Sequence, residues 1–508
     1  MQTNLLARLV LGALLPASNC PETQPSAQGA PCKAIENVLP GRVFYPDAPA
    51  YNLSNSYWSS RQSDLKPSCF VLPTSAEDVS KALNILTSRG SLFTVKSGGH
   101  TTFPGGSSIQ HGVTIDLGAL DNIVVSEDRT IASIGPGLRW IDVSRALDPI
   151  GLAAVGGRSA NVGVSGLILG GGISYLSGRH GLACDNVRNF QVVLASGDIV
   201  DANPTENQDL YWALRGGGGS SFGIVTRFDI DVFEQGDVWG MITFWPQSKT
   251  RDVLITFMGI SREVLHIDKD AHLLFIIGRI DPSVPPLAST YAYHLNHLSP
   301  PDGLFDTFEG LARIPEQLKN DTVVTNITEH LGVLVGLHGH RQTWWVTTVR
   351  DGVASGIFMN KVVEVYNKYA DELGKEGTKH GEFVVAALII QPITSVTTGA
   401  MKRNGGNALG LEAGEFPLFI ISPTVSWIDP ALDKFIEAKS AKFIKDVDDL
   451  ARKSGFYHGF KYMNYAGKSQ DVFPSYSKEN HRRLREVARA YDPEGLLRKL
   501  WKGYFNVY

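Results

Sequence analysis

Cysteine, surplus charge of either sign and long apolar runs are all scarce in this chain, and each scarcity removes a class of protein. Four cysteines in 508 residues cannot build a disulfide-stapled scaffold, and none stands in a CxxC pair or a Cys/His cluster with zinc spacing. Lys and Arg number 47 against 51 Asp and Glu, a formal net charge of -4, so no basic surplus draws the chain to nucleic acid. Arg482, Arg483, Arg485 and Arg489 read instead as the solvated face of a helix. No apolar stretch has the length of a membrane span. The GxxxxGK[ST] phosphate loop is missing, and so is a strand–GxGxxG–helix with an acid downstream. The run Gly163-Val164-Ser165-Gly166 lacks the last glycine of a hydrolase elbow. Nothing points to a metal.

What remains is an ordinary globular composition, 43% hydrophobic and 19% charged, long enough for two domains. Arg8 followed by an apolar core at 9–15 and small residues at 16–18 reads as a secretory signal. The sequons at Asn52, Asn320 and Asn326 suit a secreted glycoprotein. A Cys32–Cys69 disulfide is expected in that compartment. Residues 19–66, rich in Pro, Ser and Asn, read as an irregular lead-in.

Regular structure then begins. Ser75 caps a helix with an acid, Asp78, three positions on, and Val79, Ala82, Leu83 and Leu86 give it one apolar face. A strand at 92–95 follows, then strands at 113–116, 123–125 and 130–134 and a helix near 138–147, a pattern that predicts an α+β domain. Residues 151–226 are crowded with glycine, yet Val162, Val164, Leu167, Ile168, Leu169 and Ile173 are interleaved. A linker would carry no such apolar residues, so this backbone is expected to pack against a large flat ligand. Longer β-type runs at 241–245, 273–277, 343–349 and 383–391 predict a second domain on a larger, mainly antiparallel sheet. Leu484, Val487, Ala488 and Tyr491 predict a late helix ended by Asp492-Pro493.

The most telling stretch is Val95-Lys96-Ser97-Gly98-Gly99-His100, a glycine turn after a strand with a histidine at its end. Glycine there lets backbone N–H groups approach an anion such as a pyrophosphate. Three further stretches follow in order: Gly157–Gly172 with Arg179–Val187; Asp209–Gly218 with Phe222–Thr226; and Tyr462-Met463-Asn464-Tyr465 with Tyr491-Asp492-Pro493. Together they resemble the berberine-bridge-enzyme-like flavin oxidases of the vanillyl-alcohol-oxidase superfamily. The resemblance covers about 65–232 and 440–508.

That resemblance implies a PCMH-type FAD-binding domain over 65–232, a substrate domain over 233–439, and a segment 440–508 that completes the first domain and the active site. It implies FAD bound covalently through His100, with Val95, Lys96, Ser97, Gly98, Gly99 and Thr101 around the pyrophosphate. Gly163, Gly166, Gly170, Gly171 and Gly172 would allow close backbone approach, Gly223, Ile224 and Val225 would meet the adenine end, and Asn464 would border the flavin. Ser159 stands where many members carry a second, cysteinyl attachment. A hydroxyl is a poor nucleophile at neutral pH, so a single attachment is expected. Leu167 replaces a histidine that in relatives faces the flavin pyrimidine. Val162 occupies the position that gates oxygen, and valine there goes with oxidase behaviour.

For the proton, Tyr462 and Asn464 are expected on one face of a strand and Tyr465 on the other. Either tyrosine is a candidate base, with Gln391 facing the substrate. The implied reaction moves a hydride from a small-molecule alcohol, amine or activated C–H to the flavin, with O₂ as final acceptor and H₂O₂ as product. An oligosaccharide oxidase and a flavin-dependent cyclase or isomerase are the alternatives.

Overall fold

The computed structural model describes residues 29–279, 285–296, 304–414 and 416–508. The expected signal at 1–18 lies outside them, and so does Cys20. Architecture is α+β in two domains, as the strand and helix spacing predicts. The first holds a four-stranded sheet in the order Val43–Phe44, Cys69–Val71, Val113–Asp116, Phe93–Lys96, whose last three strands are parallel. Beside it lies an antiparallel sheet centred on Ile224–Glu234, which pairs with Ile131–Ile134, Val187–Val193 and Leu152–Ala154.

The helix Ala76–Ser88 starts as its sequence requires, since the Ser75 hydroxyl accepts from the Asp78 N–H. Its Val79, Ala82, Leu83 and Leu86 are fully buried. The lead-in departs from expectation. It contains the helix Ala30–Val38, whose Cys32 and Ile35 enter the core and whose Cys32 is bonded to Cys69 on the adjacent sheet. Pro and Asn at its helix ends disguise it as a loop.

The second domain is an eight-stranded sheet running Lys319–Thr325, Val238–Pro246, Leu287–His294, Ala271–Arg279, Val385–Ile393, Leu418–Trp427. Arg341–Trp344 and Thr347–Arg350 both pair with that last strand. The single run expected over 343–349 is thus broken, although its register is continuous. Pro423 offers no N–H opposite the break, and Gln470 instead accepts from the Val346 N–H (2.9 Å) and donates to its carbonyl (2.7 Å). Helices Thr250–Glu263, Ser355–Lys379 and Asp433–Ser454 cover one face, packing Phe257, Tyr366 and Phe443 with Phe275, Leu388 and Ile390. The division expected at 439/440 therefore falls inside a helix that belongs to this core, and the chain leaves the second domain only after Ser454.

Strand alternation turns the other residues the opposite way. Leu274, Ile276, Ala387 and Ile389 face the glycine-rich loops of the first domain across a cavity of about 510 Å³. Among the described residues no helix is long and apolar enough to cross a membrane.

Candidate active site

The strand Phe93–Lys96 delivers the backbone into the turn at Gly98-Gly99, where Gly99 has a φ of +64°. A Cβ on Gly98 would stand 2.4 Å from the Gly163 Cα, and one on Gly163 2.6 Å from the Gly98 N. Both positions need glycine because two loops, 60-odd residues apart, touch backbone to backbone. His100 emerges from this junction on the cavity wall. Its ring stacks on Trp58 at 3.9 Å between centroids and 8° between planes. Burial, and then the positive charge of Arg139, push its pKa down to about 3, so the imidazole is neutral at ordinary pH.

Val95, Ser97, Gly98, Gly99 and Thr101 share that wall, as do Ser159, Val162, Gly163, Gly166, Leu167 and Gly170, and at the far end Gly223, Ile224 and Val225. Gly166 has nothing within 4 Å of where a Cβ would be, so a side chain there would project into the space a flat cofactor needs. A cavity of this volume bounded by glycine backbone fits FAD. Three residues expected against the cofactor stand one layer back instead. Lys96 turns away to Asp116 (3.1 Å) and the Ser54 carbonyl (2.6 Å), because strand alternation points it into the first domain. Gly171 and Gly172, with φ of +111° and +90°, shape the seat of Tyr462.

Tyr462 through Tyr465 do not form a strand. Met463–Tyr465 is a single 3₁₀ turn, which puts the side chains at i and i+3 on one side. The rings of Tyr462 and Tyr465 accordingly meet edge to face at 4.9 Å, both on the cavity, with Asn464. Their hydroxyls have different surroundings. The Tyr462 oxygen accepts from the Gly172 N–H (3.1 Å), the Ile173 N–H (3.0 Å) and Asn464 Nδ2 (3.1 Å). Burial, then its neighbour Tyr465, pushes its pKa well up. A Cβ on Gly170 would lie 2.1 Å from Asn464 Oδ1, so that glycine admits the asparagine. Tyr465 turns its hydroxyl to Arg158 Nη2 at 2.8 Å and its ring to Trp344.

Arg158 is the residue that sequence reasoning passed over. Its Nη2 also donates to Gln391 Oε1 (2.8 Å), and its Nη1 to His272 Nε2 (2.9 Å). Gln391 lies on the cavity-facing side of its strand, as expected, yet it is buried behind Arg158 and does not reach the cavity itself. Trp58, His272 and Trp344 were missed as well. Only Arg158 carried a signal: a charged residue inside a glycine-rich, apolar segment, next to Ser159.

Comparison with known proteins agrees with this construction. Residues 67–203 match the model of an FAD binding domain. FAD-dependent monooxygenase tpcD of Cochliobolus heterostrophus is 35% identical over 459 residues, covering 89% of this chain and 87% of that protein. Among solved structures, 6-hydroxy-D-nicotine oxidase from Arthrobacter nicotinovorans superposes with a TM-score of 0.75 at 23% identity, covering 91% and 97% of the two chains. Berberine bridge enzyme from Eschscholzia californica gives 0.73 at 15%, covering 92% and 97%. The chain belongs to the family of FAD-dependent monooxygenases that includes tpcD and is an FAD-dependent oxidoreductase; with 6-hydroxy-D-nicotine oxidase and berberine bridge enzyme it shares the fold.

Proposed function

We propose that this protein is an FAD-linked oxidase acting on a small, partly apolar metabolite, an alcohol, amine or activated C–H compound, with O₂ as terminal acceptor and H₂O₂ as product. Bound FAD supplies a two-electron acceptor for hydride. The observation that carries the reading is the pairing, across one cavity, of a neutral His100 with a Tyr465 hydroxyl held by Arg158. His100 keeps a free lone pair and a ring fixed by Trp58, the properties of a residue that attaches the cofactor. Ser159 forms no second bond, so one attachment results.

Tyr465, in its phenolate form, takes the substrate proton. Its hydroxyl meets a cation and faces the cavity, whereas that of Tyr462 already accepts three N–H groups. Val162 lines the cavity at the oxygen-gating position. The apolar sheet face of Leu274, Ile276, Ala387 and Ile389 suits a hydrophobic body better than a sugar. Passage through the secretory pathway is part of the proposal, supported by the Cys32–Cys69 bond, which persists in oxidising compartments.

The test is anaerobic bleaching of the visible flavin band by aromatic or polyketide-like alcohols and, separately, by oligosaccharides, followed by air. Bleaching by the first panel, with recovery and one H₂O₂ per substrate, is expected. His100→Ala is expected to release all flavin on acid precipitation. A second reading, monooxygenation, is favoured by the name of the 35%-identical relative. Label from ¹⁸O₂ appearing in product, with peroxide absent, would replace the oxidase reading by that one.

A further inference from the structure

Arg158 brings a full positive charge to the cavity wall, and no carboxylate meets it among the described residues. An arginine has five N–H donors. Three are given to neutral acceptors: His272 Nε2, Gln391 Oε1 and Tyr465 Oη. His272 must accept, since a guanidinium only donates. Burial and then Arg158 itself hold the His272 pKa well below its ordinary value, so that ring adds no charge of its own. The backbone is fixed too, since the Tyr175 hydroxyl donates to the Arg158 carbonyl (3.2 Å).

These partners aim the guanidinium without neutralising it. Two of its N–H groups remain, and Gln391 Nε2 beside it is buried without a partner. The surrounding face is apolar, formed by Leu274, Ile276, Tyr291, Trp344, Ala387 and Ile389. An unpaired charge in such a place is costly once a ligand excludes water. A ligand that brings its own anionic oxygen removes that cost and gains charge-assisted hydrogen bonds.

We propose that Arg158 sets substrate specificity by selecting molecules with one anionic oxygen, a carboxylate, enolate or phenolate, on an otherwise apolar body. His272, Gln391 and Tyr465 are its positioning partners. This rests on the reading of the cavity as the flavin-dependent active site. The anion lies at the end of the cavity marked by Tyr465, which places the carbon to be oxidised within reach of that hydroxyl.

The test uses flavin-loaded protein and three probes of one shape: 2-naphthoate, 2-naphthamide and 2-naphthylmethylammonium, titrated by calorimetry. Wild type is expected to bind the naphthoate about ten-fold or more tightly than the amide, and to bind the cation least. Arg158→Gln is expected to lose that preference and Arg158→Lys to keep part of it. Equal binding of naphthoate and naphthamide by wild type, or no naphthoate binding, overturns the proposal without any variant. A preference that survives in Arg158→Gln overturns it as well. So does an Arg158→Gln protein whose visible flavin bands shift while the anion preference stays, because the charge then serves the cofactor. Flavin content, read separately from absorbance, distinguishes the two levels: protein that binds no flavin refutes the active-site reading, whereas yellow protein without anion preference refutes only the role of Arg158.

Discussion

Replacing each of the two neighbouring tyrosines by phenylalanine separates a chemical role from a structural one, because the same atom is removed from two different settings. In Tyr465→Phe the lost oxygen lies 2.8 Å from Arg158 Nη2. Arg158 keeps Gln391 and His272, so the stability loss is that of one hydrogen bond, about 1 kcal/mol. If Tyr465 is the base, the rate falls by about 10²–10⁴-fold, equivalent to about 3–5 kcal/mol in the barrier. In Tyr462→Phe two buried donors lose their acceptor, the N–H groups of Gly172 and Ile173, while Asn464 Nδ2 keeps the Leu167 carbonyl (3.1 Å). At about 1–3 kcal/mol for each unsatisfied group, the fold loses roughly 2 kcal/mol or more, while the rate of surviving protein changes less. The assay is an anaerobic single turnover in a stopped-flow instrument, paired with denaturant unfolding of the same samples. A Tyr465→Phe protein reacting within about three-fold of wild type, well short of the loss expected for a missing base, would refute the assignment. So would a Tyr462→Phe protein of unchanged stability and equally low rate.

Other expectations concern the frame around the site. Gly98→Ala places a Cβ 2.4 Å from the Gly163 backbone, so it should lower stability by about 1–3 kcal/mol and reduce flavin content, both measurable on purified protein. Reduction of Cys32–Cys69, which closes a separation of 37 residues, should lower stability by about 4 kcal/mol on the chain-entropy model, read from unfolding with and without reductant. Burial raises the Asp185 pKa from 3.8 to about 6. The folded value is the higher one, so the stability linked to this proton is present below about pH 4 and is lost as pH rises through 6, a change of about 3 kcal/mol in all. Unfolding free energies measured between pH 4 and 6.5 should show that fall in wild type and a flatter profile in Asp185→Asn.

Much of this molecule is written locally in its chain. A cap at Ser75 and apolar residues at helical spacing specify Ala76–Ser88 without reference to anything distant. The alternation along 383–391 puts Ala387, Ile389 and Gln391 on one face whatever lies opposite. The glycines before His100 and around 163–172 likewise announce close backbone approach, and the order of the four stretches is enough to recognise the family. The same local logic fails where a side chain from elsewhere takes over a backbone bond, as Gln470 does at Val346. It fails again at Tyr462–Tyr465, where a 3₁₀ turn and an expected strand differ by only a few dihedral angles.

The chemistry of the site was decided at longer range. Which of the two tyrosines faces a cation depends on Arg158, which is 307 positions from Tyr465, 233 from Gln391 and 114 from His272. No periodicity relates residues so far apart, because hydrogen bonds and charges act over a few ångströms and only chain closure brings these groups within that distance. The sequence by itself determined most of the elements, the glycine cradle, the position of His100 and the family. Tertiary structure alone decided that the cavity has a charged end, and that Tyr465 rather than Tyr462 stands at it.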